Sequence, residues 1–415
     1  LKAFLLKDPK RLRRWADSVM SVSLHGFGSL YLAVFLDSYG AFMVLPLLPF
    51  IALSLQASPF EVGLMQASYC FTQTVGTVLL GAVSDRVGRR RVLIVTLFFC
   101  SVSLLAFGLS SSMWQLILFR SLHGLFASTV SVCEAIIADG LDPERRAPAM
   151  ATVMSAFGLG LVLGPGTGGL LAPLGFPAVC FAASGMTLAN AAWAWWQLPG
   201  PGSAAGGEGP AAGAPDAAGA ARGEGGRGGA LASLGQAAAL VRSSPDLAIL
   251  YVMTLVQTMA FGAFMGLCPL FLHDVYGIGG SLMGFMFAAA GITMVVCQAS
   301  VTGIAVTGVG ELGSILLGST VRVLMMAVFA LVVSPAVPWV AFLVLVAAAS
   351  AIDPCMASMV ATAASDKNRG AVLGVYQALR SLGECLGPLW AGAWYEASPT
   401  GPFLGSAAVA ALGGG

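Results

Sequence analysis

The chain has 415 residues, of which 57% are hydrophobic and 9% charged, with a mean hydropathy of +0.87 and a formal net charge of +1. A soluble domain carries about 25% charged residues, so water is excluded as the main solvent. The near-neutral balance gives no basic surplus for nucleic acid.

In chain order, residues 1–22 form a basic leading segment, and apolar runs follow at 24–52, 60–84, 92–110, 114–138, 149–173 and 176–197. Each is long enough to cross a bilayer, which takes about 20 residues. The first run is too long and wrongly flanked for a cleaved signal peptide. Residues 199–244 break the pattern: from Pro199 to Gly229 they are nearly all Gly, Ala and Pro with a few charges, which predicts a flexible linker. Further runs follow at 246–272, 281–304, 312–333, 336–362 and 370–394. A last run starts near Pro402 and reaches Gly415, too short to span, so a truncated final helix in a trimmed sequence is expected. The predicted domains are therefore a bundle over 23–198 and a second over 245–415.

The basic residues set the orientation, because Lys and Arg near span ends stay on the cytoplasmic side. Seventeen of the twenty fall before the first run or after the second, fourth, sixth and tenth; the other three, Arg120, Arg322 and Arg380, lie within runs. The N terminus and the even-numbered connections are thus predicted to be cytoplasmic. All eight cysteines stand singly in apolar runs and read as small core residues, with no metal or redox spacing.

The two bundles echo each other. Gly40-Ala41-Phe42-Met43 recurs as Gly262-Ala263-Phe264-Met265, and Gly81 and Gly88 as Gly303 and Gly310, all 222 residues on. Gly164-Pro165 recurs as Gly387-Pro388, 223 on. Six spans repeated as six more is the plan of a carrier whose halves move about a shared midplane site.

Residues 81–91, Gly-Ala-Val-Ser-Asp-Arg-Val-Gly-Arg-Arg-Arg, read as a tight charged turn between runs two and three. The turn predicts a gate; a purely topology-setting turn would explain the arginines but not Asp85 or the glycines. Asp37 lies deep in the first run, where a carboxylate is costly when charged and functional by default. It is the predicted proton site, against the plainer reading of a hydrogen bond to a neighbouring helix. Arg120 either faces the cavity and tunes a nearby acid or forms a structural ion pair with Glu134 or Asp37, of which Glu134, fourteen residues and about 21 Å along the same helix, is out of direct reach. In the second bundle Asp353, Arg322, Arg380 and Glu384 are candidate cavity polar groups, and Arg380 and Glu384 at i, i+4 can pair. His25 and His123 are possible relays or packed residues. Phe42, Met43, Phe264, Met265, Met283 and Phe287 are candidates to line a cavity, though most are expected to meet lipid or other helices.

With these residues the chain resembles the major facilitator superfamily, in particular the drug:proton antiporter branch that includes tetracycline efflux proteins; vertebrate major facilitator domain-containing proteins look similar too. The resemblance rests on Leu36-Asp37 with Gly40, Pro46 and Pro49; on Gly81, Asp85, Arg86, Gly88 and Arg89; on Arg120, Gly124 and Ile137-Ala138-Asp139; and on Gly160, Gly164, Pro165, Gly168 and Gly169. It implies an all-α major facilitator fold of twelve transmembrane helices in two six-helix bundles. It also implies a gate in which Arg89 pairs with Asp139, Asp85 meets a helix N terminus across the bundle interface, and the cluster locks the cytoplasmic ends. The glycines of the fifth and eleventh spans read as packing and hinge devices. Two departures stand out. Where tetracycline pumps are expected to carry a histidine in span eight and an aspartate in span nine, this chain has Met294 and Arg322, and the loop Gly303 to Glu311 lacks the Asp-Arg pair.

The function expected is secondary transport: export of a small, largely apolar compound in exchange for protons by a monomer in the lipid bilayer. The rivals are a facilitator or symporter of a natural metabolite, and a non-transporting scaffold or sensor. No cofactor is implied, and no metal cluster, nucleophile elbow or phosphate loop points to an enzyme.

Overall fold

The structure is a computed structural model that describes residues 27–141, 143–197, 245–332, 334, 336–364 and 369–412. The leading segment, His25, the linker with Arg222, Arg227 and Arg242, and Lys367 lie outside the described residues.

Twelve helical spans order the described chain, with no strand among them. The first half holds α1 (Gly28–Ser54), α2 (Pro59–Val87), α3 (Arg89–Gly108), α4 (Met113–Gly140), α5 (Pro143–Leu171) and α6 (Phe176–Gln197). The second holds α7 (Pro245–Tyr276), α8 (Gly280–Val296), α9 (Thr302–Leu331), α10 (Val337–Ala363), α11 (Arg369–Tyr395) and α12 (Gly401–Leu412). Seven helices are long and apolar enough to cross a membrane by length and composition alone. Long α2 and α11 are not among them, because they turn Gln66, Gln73, Arg380 and Glu384 toward an internal cavity.

Local chemistry sets the irregularities. Pro46 and Pro49 lack the N–H that a continuous helix needs, and α1 narrows to a 3₁₀ turn over Leu45–Leu47. α2 starts on a capping box: Ser58 Oγ accepts from Glu61 N at 3.2 Å, and Ser58 N donates to Glu61 Oε2 at 2.8 Å. α4, predicted continuous, breaks at Ala127 and Ser128 into Met113–Phe126 and Thr129–Gly140. α8 runs through a π turn, Cys297–Val301, into residues 302–309.

The predicted turn over 81–91 is corrected to a corner of one residue. α2 stays helical to Val87 and α3 starts at Arg89, because Gly88 takes φ 103° and ψ 134°, a conformation open to glycine and strained for any side chain. Its counterpart 222 residues on behaves alike. The expected loop Gly303 to Glu311 is helical up to Gly310, whose φ of 77° and ψ of 176° separate 302–309 from 311–331. Charged helix ends look like loops to a hydropathy reading, which hid the first corner; the second was expected as a loop by its 222-residue correspondence to the first.

Buried side chains form three clusters. One belongs to the first half, with Leu30, Leu93 and Val153. Another belongs to the second, with Leu247, Ile352 and Val372. The third, with Met43, Met65, Phe264, Phe271 and Phe403, joins both halves. The shared cluster lies toward the end opposite the arginine-rich corner, where the halves also meet through glycines. A Cβ at Gly63 of α2 would sit on the Pro388 carbonyl of α11, and one at Gly284 of α8 on the Pro165 carbonyl of α5. Gly392 and Gly169 likewise approach the Pro59 and Ser281 carbonyls, each with 2.7 Å left for a Cβ. The halves are therefore closed at this end.

Candidate functional site: a cavity between the halves

A cavity of about 960 Å³ lies between the halves, bounded by α1, α2, α4 and α5 on one side and α7 and α11 on the other. Its lining reaches Val78, Met154 and Gly374, on the way to the arginine-rich end. Above it, toward the closed end, is a second space of about 240 Å³ walled by apolar side chains; Gln66 and Met265 border both.

Asp37 lines the larger cavity. Gly160, Gly164 and Gly168, spaced i, i+4 and i+8, let α5 lie on the α1 backbone at Ser38, Tyr39 and Met43, which fixes the helix that carries the aspartate. The polar group facing Asp37 is Thr129, the first residue of the second segment of α4. The break in α4 thus brings a helix N-terminus to the same cavity wall as the carboxylate. No ion pair within 4 Å involves Asp37 among the described residues.

Arg120 is placed by Gly124, one turn along. A Cβ at Gly124 would be 2.5 Å from the Tyr69 carbonyl, so α4 runs against α2 and the Arg120 guanidinium lies 4.0 Å from the Tyr69 ring centre. His123 meets the same ring edge-on at 5.9 Å. Arg120 is 5% exposed, its Nε has no hydrogen-bond partner, and neither Asp37 nor Glu134 pairs with it among the described residues. The structural ion pair weighed from sequence is not formed.

In the second half Arg380 is matched by carboxylates: its Nε donates to Glu384 Oε1 at 3.1 Å and its Nη2 stands 3.6 Å from Asp353 Oδ2. Arg380 and Glu384 line the cavity. Asp353 and Arg322 are not part of the lining: the Asp353 side chain is 42% exposed, and Arg322 is 2% exposed with Phe261 beside it. Of the apolar candidates, Phe42 and Met265 line the large cavity and Phe287 the small one, whereas Met43, Phe264 and Met283 are core. Met294, where a histidine was expected for a tetracycline pump, borders the small space.

At the corner Arg89 bonds Asp139 Oδ2 at 2.8 Å, Asp85 Oδ1 at 2.7 Å and Ser84 Oγ at 2.8 Å, which ties α2, α3 and α4 together. The side chain of Asp85 is 61% exposed and pairs within its own half; among the described residues it pairs with no group of the other half. Arg90 bonds the Trp195 carbonyl of α6. Gly81 lies inside α2 with open space around it. In the second half Glu311, the counterpart of Arg89, accepts from Ser358 Oγ of α10 at 2.6 Å. The tie between neighbouring spans persists with other chemistry.

Sequence reading missed Gln66, Tyr69, Gln73 and Thr129. The first three recur at i, i+3 and i+7 along α2, a polar stripe on one helical face, and that signal was available. Thr129 became visible only through the break in α4.

A family profile described as Major Facilitator Superfamily matches residues 30–388. Tetracycline resistance protein, class C, of Escherichia coli is 27% identical over 379 residues, 88% of each chain. Multidrug resistance protein 1 of Bacillus subtilis is 33% identical over 140 residues, 34% of this chain and 36% of that one. Among solved structures, a bacterial homologue of the human lysosomal transporter Spinster, inward-facing and unoccupied, superposes with a TM-score of 0.70 at 16% identity, covering 93% of this chain and 91% of that one. Two bundles, a cavity between them and a match across most of the sequence lead to one conclusion: the chain belongs to the Major Facilitator Superfamily, as a multi-pass integral membrane transporter of small molecules and not an enzyme.

Proposed function

We propose that the chain exports a small, largely apolar organic compound in exchange for protons by alternating access, with Asp37 as the proton site. The observation that carries this reading is the carboxylate of Asp37 in the cavity wall with no cationic side chain paired to it among the described residues. An acid within a membrane span and without a counter-ion is costly when charged, so Asp37, half-buried in the cavity wall, is suited to take up and release a proton as the cavity changes sides. The tetracycline and multidrug resistance proteins among the relatives support export of a drug-like solute.

With the N terminus and the arginine-rich corner in the cytoplasm, as the basic residues favour, the cavity is open inward and loads solute from the cell. The Arg89 cluster then forms the first-half part of the cytoplasmic gate. On closure, exposed Asp85 is free to meet a helix N-terminus of the second half. A proton moving inward gains about 2.3 kcal/mol per 100 mV. For one proton per solute this sustains roughly a fifty-fold gradient where the solute carries no charge across, and a larger one where it leaves as an anion.

The test is Asp37→Asn in proteoliposomes with an imposed pH gradient, on a solute found by screening a pump-deficient host. The variant is expected to keep solute exchange at equal concentrations and to lose pH-driven accumulation. Accumulation unchanged from the parent protein would remove Asp37 from the coupling and favour a facilitator or symporter.

A further inference from the structure

We infer that the solute is an amphiphilic acid whose anionic head binds Arg120 and whose apolar body extends past Gln66 into the small chamber. This rests on the reading of the cavity as the transport site, not on the direction in which protons move. It adds the chemical class of the solute.

The head site is defined by an imbalance of charge. Arg380 is neutralised by Glu384 and Asp353, whereas Arg120 is nineteen-twentieths buried and pairs with no carboxylate among the described residues. Stacking on Tyr69 covers the face of its guanidinium at 4.0 Å and leaves its N–H groups in the guanidinium plane; Nε is buried and unpartnered, and the side chain lines the cavity. A guanidinium held by its face and free at its edge matches a planar carboxylate bound through two parallel hydrogen bonds. A buried cation without an anion is costly, and a bound anion removes that cost.

The tail site lies one helical turn away. Gln66 and Tyr69 follow each other on α2, about 4.5 Å apart along the axis, and Gln66 is the polar side chain at the mouth of the chamber. Beyond it Val62, Met65, Phe287, Met294 and Phe342 enclose about 240 Å³ drawn from both halves. Apolar walls of this kind reward burial of methylenes or a ring. Because both halves contribute walls, the tail binds where the halves part when the closed end opens.

The experiment measures binding of straight-chain carboxylates of increasing length to the purified protein, beside the alcohols and amines of the same lengths, by quenching of tryptophan fluorescence below micelle-forming concentrations. The parent protein is expected to prefer carboxylates over alcohols by about ten- to a hundred-fold, the range of a charge-assisted hydrogen bond. Affinity should rise about four-fold per methylene and level off once the chamber is full. Arg120→Gln should abolish the carboxylate preference and keep the dependence on length, with Arg120→Lys restoring part of the preference. Met294→Trp, which fills the chamber, should do the reverse. Equal binding of amines or alcohols by the parent protein, or a length dependence without a plateau that Met294→Trp leaves unchanged, would overturn the inference, and the parent comparison needs no variant to fold. Acid movement in the same direction as protons would instead overturn the exchange reading and leave this one standing.

Discussion

Gly88 and Gly81 belong to the same motif by sequence yet hold different positions in the fold. Gly88 is the whole corner between α2 and α3 at φ 103°, while Gly81 lies in the helix with nothing within 4 Å of an added Cβ. A side chain at Gly88 incurs backbone strain of about 1–3 kcal/mol, and one at Gly81 raises helix propensity by up to about 1 kcal/mol. Gly88→Ala is therefore expected to lower the Tm of the purified protein and Gly81→Ala to hold or raise it. Equal losses would show that the corner is not where the strain lies. The sequence marked both glycines but could not rank them, since a motif records which residues recur and not which backbone angle each one holds. Arg89 and Asp139 were legible as a pair through the family resemblance, since by charge alone Arg86, Arg90 and Arg91 were equal candidates for the aspartate. Arg120 was legible as buried, but its platform, Tyr69, was not: an aromatic in an apolar run carries no mark of what lies on its face.

At the scale of the helices, the closed end is built from two equivalent crossings, α2 on α11 and α5 on α8. In each, a glycine receives the carbonyl of the Pro that follows Gly387 or Gly164. The spacing of Gly160, Gly164 and Gly168 disclosed that α5 packs closely, and the structure assigns that face to α1 while Gly169 turns to α8. The partner glycines Gly63 and Gly284 were invisible in sequence because each is a single residue whose neighbour lies more than a hundred positions away. A leucine at Gly63 has no room while the Pro388 carbonyl is in place, so Gly63→Leu should force the seam apart. The native thiols report this: Cys70 of α2 and Cys385 of α11 are free, half-buried neighbours across the halves. In vesicles carrying the variant, a membrane-impermeant maleimide added on the side away from the arginine-rich corner should label these cysteines well above the parent level, read by peptide mass spectrometry. Labelling at the parent level would mean that the crossing yields elsewhere and the seal survives.

Over the whole molecule the repeat was the most legible feature, and the backbone keeps it: Gly88 and Gly310 both turn with positive φ, and Arg89 and Glu311 both tie neighbouring spans. Charge does not follow the repeat. The first half presents Asp37 and Arg120 unpaired to the cavity, and the second presents Arg380 already matched by acids. Among the described residues the cavity lining of the first half thus carries the unpaired groups, while the unpaired cation of the second half, Arg322, is buried outside that lining. Cohesion between the halves is likewise uneven, since each has a core of its own toward the arginine-rich end while one shared core and the glycine crossings bind them at the other. A hinge needs this distribution, with attachment at one end and independence at the other. The attachment is through packed side chains, so the peptide connection should be dispensable. Residues 1–198 and 245–415 expressed together as two chains are expected to co-purify and to keep solute exchange. Yield should fall in step with the lost effective concentration of a tether, which is of mM order for a short flexible one. Recovery of either half alone would mean that the shared core does not hold the molecule together, and that the connection through residues 199–244 carries the load assigned here to Phe264, Phe271 and their neighbours.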